Sequence, residues 1–119
     1  MDTPSSPALA NFERMLATGR DSALLRFSLG NEHQKAGNPH AAAEHYARAV
    51  ELDPNYTAAW KGLGRALVDD GQPVAALAAY REGIVVAERK GDKQAGKEMT
   101  VFARRIESAL AASEKPASG

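Results

Sequence analysis

Residues 57–90 decide the fold, because TAAWKGLGRALVDDGQPVAALAAYREGIVVAERK repeats the segment that precedes it. That segment, residues 23–56, is ALLRFSLGNEHQKAGNPHAAAEHYARAVELDPNY and aligns at a shift of 34 positions. The seven identical pairs are Leu29/Leu63, Gly30/Gly64, Gly37/Gly71, Pro39/Pro73, Ala41/Ala75, Ala42/Ala76 and Tyr46/Tyr80. A period of about 20–50 residues is typical of proteins built from stacked structural units. The sequence therefore predicts a repeat architecture.

Each unit is predicted to be a helix, a tight turn and a second helix. In the first unit Gly37 ends a helix, because glycine adopts the left-handed conformation of a helix C-terminus at little cost. Asn38 is predicted to cap the next helix and Pro39 to open it, since a proline in the first turn loses no hydrogen bond. Residues 71–73 repeat this order with a weaker cap, Gln72. Apolar stripes at helical spacing place the second helices over residues 39–52 and 73–90.

The repeated residues resemble the tetratricopeptide repeat, whose unit follows the pattern W-x2-L-G-x2-Y … A-x3-F … A-x4-P. The second unit matches it at Trp60, Leu63, Gly64, Ala76 and Tyr80, and the first at Leu29, Gly30, Ala42, Tyr46, Ala49 and Pro54. The departures are Arg26 for tryptophan, His33 and Leu67 for tyrosine, and Glu88 for the final proline. The resemblance implies an all-α fold, a right-handed α-α superhelix whose helices approach closely at small residues.

The flanking segments are predicted to cover the apolar faces that two units alone would expose. Residues 7–18, capped by Ser6, are predicted to form the second helix of a preceding half-repeat. Residues 92–112 are predicted to form an amphipathic capping helix; a membrane- or partner-binding helix is the alternative, which its mixed charges disfavour. We expect about six helices in one domain, residues 7–112, and disordered termini, residues 1–6 and 113–119.

Composition excludes several classes of protein. Fifteen basic and fifteen acidic residues give no net charge, which disfavours nucleic-acid binding and basic membrane surfaces. The 24 alanines against 12 β-branched residues favour helix over sheet. No apolar run approaches the ~18 residues of a membrane span, and residues 1–10 do not resemble a signal peptide. A cytoplasmic location is the resulting expectation.

Catalytic and metal-binding motifs are not found in the sequence. The chain has no cysteine, which excludes thiolate catalysis and cysteine-ligated metals. His40 and His45 are five residues apart on one helix and face different directions, whereas a metal needs three or four converging ligands. The Gly62–Gly64 motif lies inside a helix, so it is a packing feature and not a phosphate loop. We expect no enzyme activity, no metal and no cofactor.

The resemblance also implies a binding site, because the first helices of such hairpins line a concave groove. The fifth, ninth, twelfth and thirteenth positions of each unit face that groove in the family. The residues there are Phe27, Asn31, Gln34 and Lys35, then Lys61, Arg65, Val68 and Asp69. Three cations, an asparagine and an aromatic side chain suit an extended acidic peptide or a terminal carboxylate.

Some members of the family bind a C-terminal carboxylate with a clamp of lysine and asparagine. Asn31 matches one clamp position, but Phe27 replaces its lysine and Gly62 its asparagine. The expected function is therefore a non-catalytic adaptor or chaperone-like accessory that binds a protein or peptide in its groove. The alternative is a structural subunit that self-associates through its repeat edges. A monomer is favoured over a homo-oligomer.

Overall fold

The computed structural model describes residues 6–114 and shows six α-helices there, with no strand. In chain order they are α1 (Pro7–Ala17), α2 (Ala23–Lys35), α3 (Pro39–Leu52), α4 (Thr57–Asp69), α5 (Pro73–Lys90) and α6 (Lys93–Glu114). Each helix packs on the next, and α2, α4 and α6 also lie side by side. The result is an all-α helical repeat solenoid with extents of 57 × 42 × 20 Å.

The turns form largely as the repeated sequence predicts. Gly37 and Gly71 have φ of +79° and +73°, the left-handed conformation that ends α2 and α4, and a proline opens α3 and α5. One expectation is wrong: Asn38 stands at the N-cap of α3 without a side-chain hydrogen bond to the helix. Its φ of −112° and ψ of 71° depart from the extended conformation usual for a capping residue. Gly37 and Pro39 therefore define this turn without it.

Ser6 caps α1 as predicted, and α6 is longer than expected. The hydroxyl of Ser6 accepts a hydrogen bond from the Leu9 amide at 3.0 Å and so caps α1. At the other end α6 continues through Glu114, two residues beyond the predicted end of the capping helix. The rest of the predicted disordered termini, residues 1–5 and 115–119, lies outside the described residues.

The tyrosines of the second helices form the centre of the packing. Tyr46 on α3 and Tyr80 on α5 are each 3% exposed, and each ring lies against a glycine of the preceding helix. A Cβ atom added at Gly30 would lie 2.6 Å from the Tyr46 ring, and one added at Gly64 would lie 2.5 Å from the Tyr80 ring. The repeated glycine and tyrosine therefore make one contact, used once in each hairpin.

Two glycine substitutions test this contact. Gly64→Ala should destabilise the protein by about 1–3 kcal/mol, because the added methyl group overlaps the Tyr80 ring. Gly96→Ala is the matched control: its Cβ would meet Ala87 at 3.7 Å, an ordinary contact. There alanine should stabilise α6 by up to about 1 kcal/mol through its higher helix propensity. Urea unfolding measures both, and equal effects of the two substitutions would contradict the packing.

Candidate functional site

A concave groove of about 780 Å³ lies along one side of α2, α4 and α6. The helices α2 and α4 are the first helices of the two hairpins, and α6 lies next in the same series, so the repeat itself brings their facing residues together. Phe27, Asn31, Gln34 and Lys35 reach the groove from α2, and Lys61 and Arg65 reach it from α4. Six of the eight residues at the family's groove positions therefore lie on one continuous surface.

Val68, the seventh predicted residue, does not line the groove. It occupies the same unit position on α4 that Gln34 occupies on α2, and its side chain is 43% exposed. Gln34 is long enough to extend from α2 to α4, where its amide donates a hydrogen bond to Asp69 at 2.6 Å. The side chain of Val68 is too short to extend to α6 in the same way. Asp69, which the family position also suggested, contacts Gln34 but is not itself in the groove wall.

The aromatic side of the groove is built on Phe27. Phe27 is half-buried, with its ring centroid 5.8 Å from that of Tyr46 and 4.8 Å from that of Tyr56. Only part of the ring is open to a partner. Phe27 therefore forms a rigid apolar wall, held in place by two other rings, and an incoming side chain can pack on its open part.

Asn31 is oriented by the groove floor. The Tyr46 hydroxyl donates a hydrogen bond to the Asn31 side-chain oxygen at 2.6 Å. Burial raises the pKa of Tyr46 to about 12, so the hydroxyl keeps its proton at neutral pH. Because the oxygen of Asn31 is used in this way, its amide group is the part available as a donor.

Gly62 explains why the family's clamp asparagine is missing here. A Cβ atom at Gly62 would lie 2.7 Å from the Tyr46 ring. The tyrosine thus occupies the space that a side chain at position 62 would need. The substitution of glycine for the clamp residue is a packing requirement of Tyr46, which forms part of the groove floor.

The cations of the groove differ in how strongly they are paired. Lys35 lies 3.5 Å from Glu32, and Arg65 lies 3.9 Å from Asp69. Both side chains are about three-quarters exposed, at 73% and 75%, so these pairs are weak and exchangeable. Lys61 is different, because its ammonium group donates to Glu98 of α6. The groove therefore presents two open cations and one that is already occupied.

Sequence reasoning missed the contribution of α6. Gln94, Ala95, Glu98 and Phe102 of this helix line the groove, together with Asp92 just before it. One signal was present: position 98 is one period after Gly64 and two after Gly30. Gly30 and Gly64 have no side chain and so leave room for a tyrosine ring, whereas the side chain of Glu98 would fill that room. Its side chain had to point elsewhere, and it points into the groove.

The histidines lie outside the groove wall. His33 and His45 stack with ring centroids 5.2 Å apart, and Arg26 contacts His45 at 3.1 Å. His40 lies 2.9 Å from Asp70 and 3.2 Å from Glu44. Within residues 6–114, no group of three or more histidine, aspartate or glutamate side chains is arranged to hold a metal ion.

We expect His45 to make the stability of the protein depend on pH. Burial, His33 and Arg26 lower its pKa below the ordinary 6.5. As the pH falls below about 6.5, the unfolded chain binds a proton that the folded chain resists, so stability should fall. We expect the urea midpoint of the parent to drop between about pH 7 and about pH 5.5, and His45→Gln to reduce that drop.

His40 supplies the control for this prediction. The hydrogen bond that His40 donates to the Asp70 carboxylate raises the pKa of His40, so its contribution is present at low pH and lost as the pH rises through the raised value. His40→Gln should therefore steepen the acid destabilisation or leave it unchanged. An identical pH profile for the parent and His45→Gln would contradict the assignment.

Comparisons with known proteins agree on the repeat. The family model of the tetratricopeptide repeat matches residues 27–93. A TPR repeat-containing protein of Pseudomonas aeruginosa is 48% identical over 101 residues, which cover 85% of this chain and 96% of that protein. None of the described helices is long and apolar enough to cross a membrane.

Solved structures show the same architecture. The solution structure of a Bordetella parapertussis protein has a TM-score of 0.74 and 36% identity, and the match covers 98% of this chain and 100% of that one. YrrB, a TPR protein with an unusual peptide-binding site, has a TM-score of 0.58 and 26% identity over 90% of this chain and 64% of that one. With its two 34-residue units and their glycine–tyrosine contacts, the chain belongs to the tetratricopeptide repeat family.

Proposed function

We propose that this protein is a non-catalytic adaptor that binds an acidic peptide segment of a partner protein in its concave groove. The fold supports a protein-interaction module, and the peptide-binding site of YrrB is consistent with such a role. The single observation that carries the proposal is the groove itself. It brings Lys35, Lys61 and Arg65 to one surface beside Phe27 and the amide of Asn31.

The chemistry of the groove suits an extended segment. The Asn31 amide can donate to a peptide carbonyl, while Lys35 and Arg65 can each donate to a carboxylate. The open part of the Phe27 ring can pack against an apolar side chain between the acidic ones. A peptide that is already extended loses little conformational freedom when it lies along such a surface.

Calorimetric titration with three capped peptides tests the proposal. Hexaglutamate is expected to bind, whereas hexaglutamine and hexalysine are not. The affinity should fall as the salt concentration rises, because exposed charges are screened over about 8 Å at physiological ionic strength. Equal binding of hexaglutamate and hexalysine, or an affinity independent of salt, would contradict an acidic partner.

Phe27→Ala separates the apolar part of the site from the charged part. The substitution should weaken the binding of a capped peptide of four glutamates with two phenylalanines at its centre by about 0.5–1.5 kcal/mol, while leaving the dependence on salt unchanged, since no charge is removed. Arg65→Ala should instead cost about 1–3 kcal/mol and make the affinity less sensitive to salt. If both substitutions change the salt dependence equally, the two roles are not separate.

We also propose that the adaptor works as a monomer. Light scattering over a range of protein concentrations should give a constant mass near the 12.6 kDa of the chain. A mass that rises with concentration would favour the structural subunit that self-associates through its repeat edges.

A further inference from the structure

Glu98 stands at a position that the repeat reserves for glycine. Gly30 and Gly64, two periods and one period before it, each accept the ring of a tyrosine. In α6 the carboxylate of Glu98 lies in the groove and accepts hydrogen bonds from Lys61 and, at 3.0 Å, from Gln94. The capping helix thus places an acidic group where an acidic ligand is proposed to bind.

The ion pair between Lys61 and Glu98 is open to exchange. Its side chains are 43% and 33% exposed, so a ligand can approach both. Ion pairs at such exposure contribute little net stability. A ligand carboxylate can therefore replace that of Glu98 on Lys61 without opening the core.

The remaining cations of the groove do not carry such a competitor from α6. Arg65 and Lys35 are paired only loosely with residues of their own helices, one turn away. They can attract an acidic segment while Lys61 is still held by Glu98. Full engagement of the segment then requires the exchange at Lys61.

We infer that Glu98 is a specificity-determining residue of the groove: in the free protein its carboxylate occupies Lys61, and a partner binds by putting a carboxylate of its own in that place. This inference rests on the proposed function, since it assumes an acidic peptide in the groove. It adds a selection rule. A neutral segment has no carboxylate to exchange for that of Glu98, and the cations of a basic segment are repelled by Lys61. Neither segment gains the contact with Lys61, so both are rejected.

The test is calorimetric titration of the full chain with capped hexaglutamate as the probe. Glu98→Gln should bind it about three- to tenfold more tightly than the parent, since the competing ion pair and a repelling charge are both removed. Glu107→Gln is the matched control on the same helix: Glu107 pairs with Arg81 at 3.6 Å and does not line the groove. It should change the affinity by less than about twofold.

A second background separates exchange at Lys61 from a general effect of charge. In a Lys61→Met variant the carboxylate of Glu98 no longer competes with the peptide for a cation at position 61. Adding Glu98→Gln there removes only the repulsion between Glu98 and the peptide, so it should improve binding less than it does in the parent background. A gain as large as in the parent background would overturn the inference.

The outcomes also separate the inference from the proposed function. If the parent binds hexaglutamate and Glu98→Gln binds it no more tightly than Glu107→Gln does, the inference is overturned and the proposed function stands. If neither the parent nor Glu98→Gln binds hexaglutamate, both are overturned.

Discussion

A chain shortened to residues 1–91 is expected to aggregate or to lose most of its helix content, because it lacks α6. Met99 on that helix is fully buried, and Ala103 and Ile106 are nearly so. They form one core cluster with Tyr80 and other residues of α5. Burying a large apolar side chain contributes about 1.5–3 kcal/mol, so Met99 and Ile106 alone account for about 3–6 kcal/mol. That loss is comparable with the lower end of the ~5–15 kcal/mol that stabilises a whole domain.

Circular dichroism and gel filtration measure this result. Helix content per residue should fall well below that of the parent, and the fragment should elute in large or heterogeneous species. Met99→Ala in the full chain is the milder companion, with an expected cost of about 2–5 kcal/mol. A monomeric 1–91 fragment with undiminished helix content per residue would show that α6 is not a cap, and would favour a partner-binding helix instead.

The double substitution Lys61→Glu with Arg65→Glu is expected to weaken hexaglutamate binding by more than about a hundredfold. Each change replaces an attraction of about 1–3 kcal/mol with a repulsion, at residues one helical turn apart on α4. Calorimetric titration measures the loss. Lys61→Glu also places a second carboxylate beside Glu98, so the melting temperature should fall by a few degrees as well.

Two further variants separate the loss of binding from the loss of stability or of net charge. Lys61→Gln with Arg65→Gln removes both cations without adding carboxylates and should still weaken binding at least about tenfold. Lys93→Glu with Lys97→Glu changes the net charge as much as the double reversal does. Both lysines are exposed on α6 outside the groove wall, so binding should change little. Equal losses in the two double reversals would mean that only net charge matters.

The fold could be predicted from the sequence because the residues that indicate it act locally. Gly37 and Pro39, with their counterparts one period later, mark turns whose backbone conformation few other residues adopt. The bounds of α3 and α5 follow from these turns and from the apolar stripes between them. Asn38 shows the limit, since a residue suited to capping makes no bond when the backbone angles at its position differ from those of a cap.

The groove could be predicted only in part, because its charges depend on contacts between helices. The resemblance to the repeat family placed Asn31 and Lys61 among the residues that line the groove. The partners of Phe27 and Lys61, in contrast, come from α3 and α6 and depend on how the helices cross. The alignment of Glu98 with Gly30 and Gly64 was the one feature of the sequence that indicated the contact between Lys61 and Glu98.

The most direct test of the central claim is to map the binding surface by nuclear magnetic resonance of the labelled full chain during titration with hexaglutamate. If the peptide binds in the groove, the largest amide shifts should fall on α2 and α4 around Asn31, Lys35, Lys61 and Arg65, with a further change near Glu98. Shifts concentrated instead on the opposite side, around Glu44 and Arg48 of α3, would contradict binding in the groove.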